Sequence, residues 1–275
     1  MNRMVALLPL ALLSACSKAG EQAESSTAAS ASASNVGDDA GVAAKAVASS
    51  SVAGVKIDEV GKLFHFAYAY PAAAAAIPAL KAQLDAEKDE GRSALVNEAK
   101  KGQAGAKEGG FDYNPYHRSV DWTVVTEIPG WLSLLGNSYE FTGGAHGNSG
   151  STALLWDKAA GRRRKPVALF TSAAALNAAL GPAYCAALNA ERSKRREEKV
   201  DPASDDEFDK CVLPSEVTVL LGSGDKAHFT RIGLIADPYV AGPYAEGNYE
   251  ITLPVNPAVL KAVKPEYRNA FAVGR

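Results

Sequence analysis

Apolar and polar positions alternate with a period of two in several short runs of this chain and recur at helical spacing in two longer ones. Leu63 to Tyr70 alternates and is closed by Pro71, which predicts a strand with Phe64, Phe66, Tyr68 and Tyr70 on one face and His65 on the other. From Ala72 to about Lys101 the residues turn to Ala, Leu, Lys and Glu, and Ile77, Leu80, Leu84, Leu95 and Ala99 form a helical stripe. Gly91 is expected to break that helix, and Gly102 to Gly110 to be a loop. Strand patterns return at Tyr116 to Glu127, with Val120, Trp122 and Val124 on one face, and at Trp131 to Phe141, Ser151 to Trp156 and Lys165 to Phe170. Arg162, Arg163 and Arg164 follow the turn Asp157 to Gly161 and read as a solvated hairpin tip. Thr171 to Leu180 predicts a short helix stopped by Gly181 and restarted by Pro182, with Leu176, Leu180, Tyr184 and Leu188 as its buried stripe. Strands at Val217 to Leu221, Ala227 to Ile235 and Tyr249 to Leu253 and a short helix from Ala258 to Ala262 complete the pattern. Strand runs beside segregated helices predict an α+β fold: antiparallel sheets with packed helices in two subdomains, 55–170 and 171–275.

The chain ahead of residue 55 follows neither period. Residues 1–15 carry a basic start, an apolar stretch and small residues before Cys16, the build of a secretory signal. The end of it, Leu13-Ser14-Ala15-Cys16, resembles the bacterial lipobox, which implies cleavage before Cys16 and acylation of that cysteine. The expectation is a lipoprotein tied to a membrane, facing the periplasm from the outer membrane if the host is Gram-negative. Of the 38 residues from Ser17 to Gly54, 21 are alanine or serine and none is aromatic. Such a segment buries too little apolar surface to offset its ordering entropy, so 16–54 reads as a lipidated, disordered tether.

Composition narrows the class. A formal net charge of −2 over 275 residues gives no field to steer nucleic acid, so no nucleic-acid partner is expected. Past the first fifteen residues no apolar run is long enough to span a bilayer. With Cys16 acylated, Cys185 and Cys211 remain, and an even pair in an oxidising compartment predicts a disulfide. Closing that loop stabilises by roughly 3–4 kcal/mol on the chain-entropy estimate. Between Glu191 and Lys210 fourteen of twenty residues are charged, which reads as a solvated helix end and loop. His65, His117, His146 and His228 are scattered without metal-ligand spacing, so neither a metal nor another cofactor is expected.

Candidate chemistry concentrates in Tyr139 to Gly150, where four of twelve residues are glycine and His146 stands among them. The imidazole either bonds backbone exposed by a tight glycine turn, or belongs to a binding loop, or performs chemistry. Ser149, Ser151 and Asp157 complete an imaginable triad with His146, but the serines lack the elbow spacing that a nucleophile needs. A second dense turn, Asp237 to Gly247, holds Pro238, Tyr239, Pro243 and Tyr244.

These two segments carry a resemblance. Trp131-Leu132-Ser133-Leu134, Tyr139 and Thr142-Gly143-Gly144-Ala145-His146-Gly147 resemble the Gly-Gly-Ala-His-Gly signature of RsiV-type extracellular domains. Pro238-Tyr239, Ala241, Pro243-Tyr244-Ala245, Gly247 and Ile251-Thr252-Leu253-Pro254 resemble the C-terminal motif of the same family, although Gly242 stands where that family more often has alanine. The preceding strand-and-helix portion is similar to the module ahead of the catalytic domain in PdaC-type deacetylases. The resemblance implies an α+β envelope ectodomain, in its best-known member one that binds lysozyme. The anti-sigma output is not expected, because a lipobox leaves no spanning helix to carry it. The favoured expectation is a non-enzymatic binding module for a lysozyme-like protein or cell-wall peptidoglycan. Its binding loop would use Tyr139, Gly143, Gly144, His146, Gly147, Tyr239 and Tyr244. A cell-wall glycan hydrolase or deacetylase and a purely structural envelope lipoprotein remain open beside it.

Overall fold

The computed structural model describes residues 52–201 and 203–274. The signal segment, Cys16 and the tether as far as residue 51 lie outside the described residues. The fold is α+β, with a six-stranded mixed sheet, a three-stranded antiparallel sheet and packed helices. No helix among the described residues is long and apolar enough to cross a membrane.

The large sheet runs in chain order through β1 (Val55–Val60), β2 (Phe64–Tyr70), β3 (Tyr116–Ile128), β4 (Trp131–Phe141), β5 (Asn148–Asp157) and β6 (Arg162–Arg164). All neighbours are antiparallel except β2 and β3, which corrects the expectation of purely antiparallel sheets. A parallel pair needs a long crossover, here α1 (Ala72–Ala75) and α2 (Pro78–Gly109). Strand β1 was not anticipated. Its pattern, half-buried then exposed residue by residue, is that of an edge strand.

Helix α2 starts on Pro78, whose missing N–H costs nothing at a first helical position, and ends at Gly110 in the left-handed region at φ 69°. It is unbroken at Gly91 and continues through the expected loop at Gly102 to Gly109. Packing accounts for both corrections. A side chain at Gly102 would overlap the Tyr116 ring and one at Gly109 the Phe111 ring, so these glycines let aromatics lie against the helix. Leu80, Leu84 and Leu95 then seal one sheet face over Phe66, Tyr68, Tyr70, Trp122, Leu132, Leu134, Leu154 and Trp156. Trp122 Nε1 donates to the Tyr68 hydroxyl at 3.1 Å, which satisfies two polar groups inside this apolar layer.

A bulge in β3 redistributes the other face. Val124 pairs with Leu134 but Thr126 pairs with Ser133, so two residues of β3 advance against one of β4. The extra residue moves Thr126 and Ile128 to the face opposite Trp122, while Val120, Trp122 and Val124 share one face as expected, with Val124 exposed at its end. Ile128, Trp131 and Leu155 thereby enter a second core. That core is built on α3 (Ala173–Arg196), on β7 (Thr218–Gly222), β8 (Arg231–Ala236) and β9 (Tyr249–Pro254), and on α4 (Pro257–Ala262).

Helix α3 is continuous through Gly181 and Pro182 rather than stopped and restarted. Ser172 caps it by accepting from the Ala175 N–H at 3.0 Å, and the expected stripe of Leu176, Leu180, Tyr184 and Leu188 is buried. Residues 165–170 are a 3-10 turn, Pro166–Leu169, instead of a strand. The arginine triplet is strand β6, and only Arg162 is exposed as a hairpin tip would be: Arg163 pairs with Glu87 over the Trp122 ring, and Arg164 pairs with Asp157 over Tyr267. Cys185 and Cys211 form a disulfide with Cα atoms 5.3 Å apart.

Candidate functional site

Residues 142–147 leave the end of β4, turn sharply and feed β5. Gly143 and Gly144 have φ of 98° and 93°, a region that L side chains avoid. Gly147 is buried under the Tyr139 ring, where a Cβ would overlap the phenol. The loop is therefore pinned by β4's own tyrosine, and His146 is left exposed at its tip.

The turn from Asp237 to Gly247 comes up against this loop. Asp237 Oδ2 accepts from the Ser151 N–H at 3.0 Å, and Thr218 Oγ1 donates to the Ser151 carbonyl at 2.9 Å, so the first strand of the small sheet and the turn after its second both grip the start of β5. The Tyr244 hydroxyl donates to the Gly147 carbonyl at 2.8 Å, and its ring stacks on His146 with centroids 4.0 Å apart. His146 Nδ1 lies 2.9 Å from the Gly147 carbonyl, which can only accept, so Nδ1 carries a proton. Nε2 lies 3.4 Å from the Tyr239 hydroxyl and accepts from it in the neutral ring. Tyr239 is 54 % exposed and holds φ at 71°, an unusual state for a bulky residue and one that concentrates at ligand-contact sites.

Buried charge braces the turn from behind. Arg192, fully buried, donates through Nε to the Ala241 carbonyl at 2.8 Å and through Nη1 to the Asp209 and Lys210 carbonyls at 3.3 and 3.1 Å. Arg196 pairs with Glu246 at 2.7 Å and Asp209 at 2.6 Å, and the Glu246 carboxylate also takes the Tyr249 hydroxyl. Burial pushes the Glu246 carboxyl up, but the hydrogen bonds from Arg196 and Tyr249 and the charges of Arg196 and Arg192 together outweigh it and hold the carboxyl below its usual range. The expectation of a uniformly solvated 191–210 segment is corrected at these residues. One signal was available: Arg192 stands at the next fourth position after Tyr184 and Leu188.

The structure thus brings Tyr139, His146, Gly147, Tyr239 and Tyr244 together, with Gly143 and Gly144 at the outer bend. The imagined triad is not assembled. Asp157 sits at the far end of β5, bound by Arg164 and the Ala160 N–H. Among the described residues no group of three His, Cys, Asp or Glu could hold a metal ion. Sequence reading missed His65 and His117, which stack face to face on the open side of the sheet with centroids 4.1 Å apart. They lie on adjacent parallel strands 52 positions apart, so no local spacing could have paired them.

Comparison with known proteins locates part of this architecture. Residues 57–149, about a third of the chain, match the family model described as deacetylase PdaC. Two crystal structures of the DUF3298 family are similar to the chain. One, from Bacteroides fragilis NCTC 9343, shares 19 % identity at a TM-score of 0.49, over 73 % of this chain and 88 % of that one. The other, from Pseudomonas aeruginosa PAO1, shares 18 % identity at a TM-score of 0.47, over 82 % of this chain and 98 % of that one. No curated protein matches this sequence.

Proposed function

We propose that the chain is a non-enzymatic binding module of the bacterial cell envelope. Its His146–Tyr239–Tyr244 surface receives a basic, lysozyme-like protein. The observation that carries this reading is the convergence of two loops, 97 residues apart at Tyr244 and Gly147, into one exposed aromatic stack. Tyrosine and histidine faces on a braced scaffold are the make-up of an interface anchor. Charge supports the choice of partner. Beside the turn lies a hollow of about 650 Å3 that shares Pro243 and Glu246 with it. Glu198, Asp201, Asp206 and Asp209 line the hollow against Arg196 and Lys199, which favours a cationic surface. The resemblance of both loops to the RsiV-type signature points to the same partner class. The Cys185–Cys211 disulfide supports an oxidising compartment, and a lipid on Cys16 would hold the module at the membrane.

One observation favours a cell-wall glycan as the second reading. A hollow of about 550 Å3 is lined by Phe111, Tyr113, Tyr116, Asn114 and the Gly143–Gly144 bend, and it offers ring faces beside amide groups.

Calorimetric titration with a c-type lysozyme tests the primary reading. Binding that weakens between low and high salt is expected from the acidic hollow. Absence of heat at low salt, or turnover of muropeptides by the purified protein, would overturn it.

A further inference from the structure

The open face of the large sheet carries a line of polar and aromatic groups that meets the binding surface only at Tyr139. His65 on β2 stacks on His117 of β3 with ring planes 7° apart. Asp58 of β1 meets His65 Nε2 at 2.7 Å, and Tyr139 of β4 tilts against His117 with centroids 4.9 Å apart. Strand alternation sets Lys56 and Asp121 on the same face, further along the strands. His117 Nε2 is buried without a hydrogen-bond partner. The line does not end at Tyr139, because that ring covers Gly147, whose carbonyl accepts from Tyr244 and from His146. An unbroken series of contacts joins the histidine pair to the exposed aromatic stack.

The two imidazoles are unequal. A proton on His65 has the Asp58 carboxylate in direct contact, whereas a proton on His117 has Asp58 only at longer range and faces a second cation across the stack. We propose that the His65–His117 stack is a proton-operated control on the binding surface. When both rings are charged they separate, Tyr139 moves off Gly147, and the loop carrying His146 loses its fit to the Tyr239–Tyr244 turn. This rests on reading that surface as the binding site.

Burial first, and the neighbouring His65 second, hold the His117 imidazole below its ordinary value of 6.5, while Asp58 pulls weakly the other way. The sign follows. A histidine kept neutral by the fold binds fewer protons than in the unfolded chain. Its contribution is therefore intact at neutral pH and lost as pH falls from about 6.5 through the lower folded-state value. The binding surface is closed up at neutral pH and released in acid.

The test follows the histidine rings and the Gly143, Gly144 and Gly147 amides of the purified protein by NMR as the pH is lowered. The glycine amides are expected to shift with the midpoint of His117, not that of His146. His117→Phe keeps a stacked ring that cannot charge and should abolish the His117-linked shift. His65→Phe removes the other charge and should do the same, which covers the case in which the first variant does not fold. In a second arm, lysozyme affinity is expected to fall about five-fold on acidification, but not in the Phe variants. Glycine amides that follow His146, or that shift unchanged in both variants, overturn the control. His117-linked shifts in a protein that binds no lysozyme at any pH uphold the control and overturn the partner. Lysozyme binding with no His117-linked shift does the reverse.

Discussion

The two loops that meet at His146 are held by different physics. The glycine loop is fixed by shape: Gly143 and Gly144 supply the bend, Tyr139 lies over Gly147, and one hydroxyl from Tyr244 closes the contact. The Asp237–Gly247 turn is fixed by charge: Arg192 and Arg196 reach its carbonyls and carboxylate from α3, and they also hold the stretch that ends at Cys211. A loop held by fit fails locally when one atom is added. A turn held by buried charge fails together with everything that shares the charge, because desolvated donors and acceptors cannot be left unpaired. The rigid wall of the site is thus the one with the strained Tyr239, and the yielding wall is the one with His146.

This contrast orders the expected effects. Arg192→Leu should be the most damaging, because the Ala241, Asp209 and Lys210 carbonyls lose their donor inside the second core. Chemical denaturation should show a loss of about 3 kcal/mol, together with loss of protection of the Tyr239 turn in hydrogen exchange. Replacing both Cys185 and Cys211 by serine frees the same stretch. The expected cost is about 2–4 kcal/mol, read from the denaturation midpoint, with the β4–β5 amides unaffected. Gly147→Ala forces the Tyr139 ring aside and should cost about 1–3 kcal/mol, with tyrosine and histidine ring signals changing near His146 and those of α3 unchanged. Tyr239→Gly should have the smallest effect on stability and of opposite sign, a gain of up to about 1 kcal/mol from relief of the left-handed backbone. The same change should weaken lysozyme binding at least about ten-fold if this ring is an anchor. A stability loss there would mean that the ring serves the core instead.

Much of this could be read from the chain. Strands β2 and β3 announced themselves by alternation, and β4 and β5 as apolar runs between turn residues, because these two bury residues on both faces, against α2 and against the second core. The disulfide followed from counting. The glycine loop and tyrosine turn stood out because their chemistry is local: residues that bend the backbone sit next to residues that stack. What was missed depends on distant partners. The C-terminal part of α2 read as a loop because Gly102 and Gly109 discourage helix, and only Tyr116 and Phe111 show why glycine is needed there. The bulge at Val124 to Thr126 is invisible to a period of two and decides which core receives Ile128. Arg192 read as solvated charge, although its position continues the buried stripe of α3. The stacked histidines required the parallel β2–β3 register, which only the crossover through α2 reveals.

That the two walls form one recognition surface is tested most directly by a double-mutant cycle on lysozyme binding. It compares His146→Ala, Tyr239→Ala and the double variant, with melting temperatures as a control on folding. Each single change should weaken binding, and the double change should weaken it by less than the sum, leaving a coupling of at least about 0.5 kcal/mol between groups that share one contact. Losses that simply add, or single variants that bind as the unaltered protein does, would contradict the account.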